Sequence, residues 1–331
     1  MTQKHGLIKG RVSFAAHEEY RVLLDGGRES AALPSGALRT YGELPAVGDW
    51  VWVHPAAGLN LIEAVEPHRT AFIRRAAGRV HTSQCVAANI DICFVVCGLD
   101  GDFNLRRIER YLVLAWESGA RPVVVLNKAD LCVDPEVTVN AVRSIAGRAD
   151  VVAMSASRSV EPLISWLQPG VTAALLGSSG AGKSTIANAL SGSTLATREV
   201  REHDSRGRHT TTARMLLPLP GGAWLIDTPG MRELGLLAGE ASLDLGFPEI
   251  AALAHQCRFA DCRHEQEPEC AVRQAVEEGR ISPSRWVSYA KLQREARHRA
   301  LETDRRAMRA EKQKWKAIHK ANRRLYREQG H

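Results

Sequence analysis

The order of three short motifs constrains this chain more than any other feature of it. Residues 177–185 read Gly-Ser-Ser-Gly-Ala-Gly-Lys-Ser-Thr, a complete phosphate-binding loop. About fifty residues earlier stands Asn127-Lys128-Ala129-Asp130, and well downstream comes Asp227-Thr228-Pro229-Gly230. Each follows an apolar run, at 122–126, 172–176 and 223–226 respectively. Runs that are apolar on both faces read as buried parallel strands, and ligands collect beyond the carboxyl ends of such strands. The expectation is therefore an α/β unit whose mostly parallel sheet, wrapped by helices, carries three loops along one edge. Leu105–Ser118 has helical spacing at Ile108, Leu112 and Ala115, and 91–96 and 151–154 read as further strands.

The phosphate loop carries the clearest chemistry. Gly177, Gly180 and Gly182 let the backbone N–H groups of the loop, through Ser178, Ser179 and Ala181, converge on anionic oxygens at a helix N-terminus. Lys183 is placed to reach the β- and γ-phosphates, Ser184 to ligate Mg²⁺ through its hydroxyl, and Thr185 to lie near the α-phosphate. The amphipathic stretch 186–190 supplies the helix that this loop must open.

The 127–130 tetrad selects the base. An Asp130 carboxylate can accept from guanine N1–H and the exocyclic amino group. Adenine has no donors there and would leave a charge unpaired, which costs several kcal/mol. Asn127 is placed to hold neighbouring loops and the Lys128 stem to lie over the purine, with Ala129 a further member of the nucleotide-binding tetrad. Ser155-Ala156-Ser157 has the position of a backbone loop meeting guanine O6. Asp227 is expected to hold Mg²⁺ through water, and the Gly230 N–H to sense the γ-phosphate. These are the parts of a GTPase that binds GTP and GDP. A Ras-like GTPase runs phosphate loop first and base-reading motif later. Here the order is base, phosphate, switch, so the GTPase unit is circularly permuted.

The stretch 207–212, Gly-Arg-His-Thr-Thr-Thr, is the natural first switch, and one of its threonines would complete the Mg²⁺ shell. Many Ras-like enzymes place a water-orienting Gln after the second switch glycine, but this chain has Met231. Methionine cannot orient water, so another group is needed; even with Gln, intrinsic rates are only on the order of 10⁻⁴ s⁻¹. His209 is the candidate. Two readings of it stand, a catalytic group ordered by a partner, or an RNA contact or loop cap.

Cys257, Cys262, His264 and Cys270 place three thiolates and an imidazole within fourteen residues of polar sequence. That is the ligand set of a closed, structural Zn²⁺ site, in a segment without the apolar residues to hold itself. His255 is a substitute ligand by position. Cys85, Cys93, Cys97 and Cys132 read as small apolar residues.

Residues 1–70 alternate short apolar runs with Gly, Pro and Asp turns, as a small barrel of the OB type would. Its Trp50 and Trp52 either lie in the core or face nucleic acid. The net charge of +7 is uneven, because residues 291–331 hold fourteen Lys or Arg and five Asp or Glu. Residues 284–328 read as one or two long helices, with Glu295–Arg299 and Glu302–Arg306 at the i, i+4 spacing of a solvated helix, and the basic tail either binds RNA phosphate or is merely solvated. The longest apolar stretch, near 90–99, is too short for a bilayer. Residues 1–6 lack the apolar core of a secretory signal. A cytoplasmic, monomeric protein with no membrane partner is expected.

With these residues in hand, the chain resembles the circularly permuted bacterial GTPases of the RsgA (YjeQ) type. The motif order, the Cys257, Cys262, His264, Cys270 spacing, Val-Gly-Asp-Trp-Val at 47–51 and Ala-Ala-Asn-Ile-Asp at 87–91 carry the likeness. It spans nearly all of residues 5–295. The resemblance implies an OB-fold domain (1–72), a permuted GTPase domain (73–240) and a helical zinc-binding domain with a basic tail (241–331). It implies action in late maturation of the 30S ribosomal subunit, contact with its 16S rRNA, and GTP hydrolysis stimulated by that subunit. It also implies that the switch histidine, here His209, is catalytic. The other reading is an RNA-binding assembly module that uses GTP as a structural ligand with negligible hydrolysis. The tail beyond 296 departs from the family pattern.

Overall fold

The computed structural model describes residues 6–16, 19–56, 59–75, 83–192, 214–227 and 240–298. The first segment forms β1 (Ile8–Ala16), β2 (Glu19–Leu24), β3 (Glu29–Pro34), β4 (Trp50–His54) and β5 (Asn60–Val65), with α1 (Gly36–Tyr41) after β3. Pairing in the order β1-β2-β3-β5-β4 and back to β1 closes a five-stranded barrel. Only β3 and β5 within it run parallel. Side chains alternate across β4, so Val51 and Val53 are buried while Trp50 remains 39 % exposed and Trp52 half-buried. The tryptophans are therefore not core. The Lys9 ammonium lies 5.2 Å from the Trp50 ring and 5.9 Å from the Trp52 ring, and the Arg11 guanidinium 5.3 Å from Trp50.

A two-stranded ribbon, β6 (Ala71–Arg75) and β7 (Ser83–Ala88), precedes the α/β unit. That unit holds β8 (Ile92–Gly98), α2 (Leu105–Ser118), β9 (Arg121–Asn127), α3 (Pro135–Arg143), β10 (Asp150–Ala153), α4 (Glu161–Ile164), β11 (Thr172–Gly177), α5 (Lys183–Ser191), β12 (Arg214–Pro218) and β13 (Trp224–Asp227). Its strand order is β10-β9-β8-β11-β13-β12, parallel except for β12. Every residue of β8 and β11 is buried because both faces are covered. Cys93, Val95, Cys97, Val124 and Leu126 turn to one face, where α2 brings Ile108 and Leu112. Phe94, Val96, Val123 and Val125 turn to the other, with Leu163, Ile186 and Leu190. Cys93 and Cys97 are the small buried residues expected of them.

Barrel and sheet share one ladder, because β1 pairs with β12 at Phe14↔Met215 and Ala15↔Arg214. The seam brings together the 47–51 and 87–91 motifs. Asn89 Nδ2 donates to the Gly48 carbonyl at 3.1 Å, and the Ala88 N–H donates to Val47 at 2.9 Å. Gly48 has φ +92°, and a Cβ there would lie 2.1 Å from the Ala88 carbonyl oxygen, so only glycine fits. Arg11, buried, donates to the Gly48 and Asn89 carbonyls and to Thr172 Oγ1 at 2.8 Å on β11.

Past the switch come α6 (Glu240–Gly246), α7 (Pro248–Ala254), α8 (Ala271–Glu277) and α9, residues 283–298. The expectation of a solvated helix from 284 needs correction over its first turns. Tyr289, Leu292 and Ala296 are buried, and Arg285 is 7 % exposed. Arg285 donates to Glu249 on α7 at 2.7 Å, to Glu109 on α2 at 2.9 Å and to the Gly246 carbonyl at 2.9 Å. Glu295 takes two bonds from Arg110 of α2, at 2.7 and 3.0 Å. Arg299, Glu302, Arg306 and the rest of the basic tail lie outside the described residues. Among the described residues no helix is long and apolar enough to cross a membrane.

Candidate nucleotide site and metal cluster

The parallel sheet sets the site by putting the ends of β9, β10 and β11 on one edge. Asn127 closes β9 and is 2 % exposed. Its Nδ2 donates to the Ala181 carbonyl in the phosphate loop at 2.9 Å, and its Oδ1 accepts from the Ala156 N–H at 2.9 Å. One buried amide thus ties the base-reading tetrad, the 155–157 loop and the phosphate loop together. Glycine at 182 follows from that contact, since a Cβ there would stand 2.1 Å from Asn127 Nδ2. Lys128 takes the left-handed conformation at φ 61°, turning the chain so that the Asp130 side chain reaches the same edge. The Asp130 N–H donates to Ser155 Oγ at 3.1 Å, and the Ser155 hydroxyl donates to the Asp130 carboxylate. That bond holds the Asp130 carboxyl below the usual carboxylate range.

In the phosphate loop Ser179, Gly180, Ser184 and Thr185 are exposed, Ser178 and Lys183 are half-buried, and Ala181 is buried. Gly177 ends β11, where a Cβ would collide with the Val96 carbonyl oxygen at 2.2 Å. Lys183 Nζ donates to the Gly177 carbonyl at 2.9 Å and also to the Ser178 carbonyl. Gly182 caps α5 at φ 96°, aiming the first turn of that helix outward. Asp227 ends β13, one strand from the phosphate loop. Gly230, Thr228, Pro229, Met231, His209 and the 207–212 switch lie outside the described residues.

Two contacts escaped the sequence reading. Lys128 does not lie free over the edge, because its ammonium pairs with Asp100. Ser178 donates to Asp102. A Gly-Leu-Asp-Gly-Asp stretch directly after a buried strand was the signal that could have marked both.

The second site lies between α7 and α8. The ligand atoms of Cys257, Cys262, His264 and Cys270 all fall within 4.8 Å of one another. His264 Nδ1 stands 3.5 Å from Cys257 Sγ and 3.4 Å from Cys270 Sγ, and the two sulfurs are 3.9 Å apart. A tetrahedral Zn²⁺ with its usual bond lengths needs S–S and S–N edges of about 3.8 and 3.5 Å, so the donors fit. His264 sits at φ 61°, which turns its ring inward, and Trp286 of α9 packs edge-on to it with centroids 6.3 Å apart. Glu267 accepts from the backbone N–H groups of Arg263, Glu265 and Gln266, which holds its carboxyl down at about 2. His255 is exposed and outside the converging set, so it is not the substitute ligand considered from sequence.

Comparison with known proteins agrees with this geometry. The RsgA GTPase family profile matches residues 65–237. The chain belongs to the RsgA GTPase family. The small ribosomal subunit biogenesis GTPase RsgA of Opitutus terrae is 49 % identical over 95 % of this chain and 90 % of its own length. Its counterpart in Leptospira interrogans is 43 % identical over 98 % and 92 %. Among solved structures, YjeQ from Thermotoga maritima superposes with a TM-score of 0.67 at 28 % identity, covering 88 % of this chain and 98 % of that one. YloQ, a circularly permuted GTPase, gives 0.66 at 26 %, covering 90 % and 98 %. Family membership makes the protein a guanine-nucleotide-binding, GTP-hydrolysing enzyme, and the order 127–130 before 177–185 is that of a circularly permuted GTPase, as YloQ is described.

Proposed function

We propose that this chain hydrolyses GTP in the late maturation of the small ribosomal subunit, binding that subunit with GTP and leaving it after hydrolysis. The observation that carries the reading is Asn127, whose single side chain binds both the phosphate loop and the 155–157 loop. One nucleotide placed on that edge can meet Asp130 with its base and residues 177–185 with its phosphates. Asp130 accepts from the guanine N1–H and amino group, and the Ala156 backbone borders O6. The loop N–H groups and Lys183 hold the phosphates. The Ser184 hydroxyl, and Asp227 through water, would hold Mg²⁺, a cation that takes oxygen donors and would supply neutralisation of the phosphate charge. Gly230 senses the γ-phosphate, and His209 orients the attacking water when the small subunit is bound. Cys257, Cys262, His264 and Cys270 hold a structural Zn²⁺.

The division is 1–72 for the barrel, 73–240 for the GTPase unit and 241–331 for the zinc module and tail. The barrel meets 16S rRNA through Trp50 and Trp52, an aromatic surface suited to stacking on unpaired bases, beside Lys9, whose ammonium also pairs with Glu66 at 2.8 Å. The basic tail adds phosphate contacts, and the protein works as a cytoplasmic monomer. GTP turnover measured with and without purified small subunits tests the reading, with at least a tenfold stimulation expected on the scale of partner-activated GTPases. Equal turnover in the two arms refutes it. Deleting residues 299–331 should flatten the salt dependence of subunit binding.

A further inference from the structure

Two carboxylates flank the nucleotide edge without any part in the reading above. Six residues, 99–104, connect β8 to α2 and fold back tightly. The Leu99 N–H donates to the Asn127 carbonyl at 2.8 Å, and the Asp102 N–H donates to Asp100 Oδ1 at 3.3 Å. A Cβ on Gly98 would stand 2.7 Å from that same Oδ1. Asp100 pairs with the Lys128 ammonium, both side chains about one-third exposed. Asp102 divides its oxygens, one accepting from the Ser178 hydroxyl and the other from the Arg107 guanidinium on the first turn of α2. Asn104 caps that helix by accepting from the Arg107 N–H at 3.1 Å.

On charge alone this is the wrong place for carboxylates, since a polyphosphate site favours positive potential. Both nonetheless stay ionised at neutral pH. Lys128 holds Asp100 below the usual carboxylate range; for Asp102 burial works the other way and is outweighed by Ser178 and Arg107. Two retained negative charges beside an anion site call for a positional role, and the partners name it. One is the lysine of the base-reading tetrad and the other is the second residue of the phosphate loop. Ser178 is gripped at both ends, its hydroxyl by Asp102 and its carbonyl by Lys183.

We propose that Asp102 is a positioning residue for GTP binding, an acidic brace that fixes the ascending limb of the phosphate loop through the Ser178 hydroxyl. Asp100 braces Lys128 in the same way. The brace gains its rigidity from α2, to which Arg107 anchors Asp102 and which α9 in turn clamps through Glu109 and Arg110. This inference rests on the guanine-nucleotide reading of the edge and adds the residues that keep its two halves in register.

The test titrates fluorescent GDP and measures GTP turnover for the full-length, zinc-loaded wild type, Asp102→Ala, Ser178→Ala and the double variant. Loss of one charge-assisted hydrogen bond should weaken GDP binding about tenfold in each single variant. The turnover defect should fall on KM more than on kcat. The double variant should be no weaker than the worse single one, because both remove the same bond. Asp102→Glu should restore part of the affinity. Should Asp102→Ala lose its fold, judged by its melting curve, Ser178→Ala alone carries the comparison. Unchanged GDP affinity in the single variants, or additive losses in the double, would overturn the brace while leaving the guanine site intact. A wild type that binds no guanine nucleotide would sink both.

Discussion

The cysteine–histidine cluster and the nucleotide edge face the same problem, holding polar loops in place, with opposite means. Cys257, Cys262, His264 and Cys270 are near neighbours in sequence, and their loop has little apolar material of its own. The nucleotide edge draws on residues from Gly98 to Lys183, and its loops are held by buried parallel strands and by the Asn127 amide. A contiguous site can be fixed by its ligand. A dispersed site must be fixed by the fold before any ligand arrives.

That contrast can be broken most decisively at the metal. Cys270→Ser, or a strong chelator, should remove stabilisation on the order of 10 kcal/mol from the zinc loop. Hydrogen exchange should then rise across 255–278, while GDP affinity changes far less. If the loop stays protected without metal, the cluster is not what holds it. At the other pole, Asn127→Ala leaves the Ala181 carbonyl and the Ala156 N–H unpaired in a buried setting. It should lower stability by about 3 kcal/mol and weaken GDP binding, with zinc content unchanged by metal analysis.

The barrel–sheet seam sharpens the comparison further. Asp49 is buried, accepts from the Ala46 N–H at 2.8 Å, and lies 3.6 Å from His68 Nδ1 with Arg11 nearby. Burial raises its carboxyl to about 6, against the pull of Ala46, His68 and Arg11. The folded state therefore favours the protonated acid. Its contribution is fully present below about pH 4 and declines as pH rises to 6, by up to about 3 kcal/mol. Asp49→Asn should flatten that slope in urea titrations across pH 4 to 6, and a persistent slope would assign it elsewhere. Asp130→Ala should leave stability alone and cost GTP affinity about 100-fold, read by nucleotide titration. The smallest effect belongs to the exposed Arg121–Asp150 pair at 2.7 Å, whose removal should shift stability by less than about 1 kcal/mol.

Legibility in the sequence followed the same division. The Cys257-to-Cys270 spacing announced the cysteine–histidine cluster because all four residues sit on one short stretch. The phosphate loop and the tetrad were legible because their chemistry demands particular residues. Asp100 and Asp102 passed unnoticed: the Gly-Leu-Asp-Gly-Asp stretch after a buried strand marks an acidic loop at the sheet edge, but a carboxylate in a turn has many ordinary roles and the stretch does not name Lys128 and Ser178 as its partners. Glu295 read as half of an i, i+4 pair on a solvated helix, because spacing along one helix is silent about another helix lying against it. Trp50 and Trp52 stayed ambiguous until the pleat of β4 turned Val51 and Val53 inward.

The sequence by itself determined the parallel sheet, the permuted order of its loops, guanine as the base and which three cysteines and which histidine cluster. Each is written in apolar runs, obligatory glycines or residue types that the chemistry requires at short range. Only the tertiary structure decided that β1 continues the sheet into the barrel, that the loops Asn127 holds are those of Ala156 and Ala181, and that α9 clamps α2. Those facts depend on which distant segments pack together, and packing is settled by shape and burial over the whole chain.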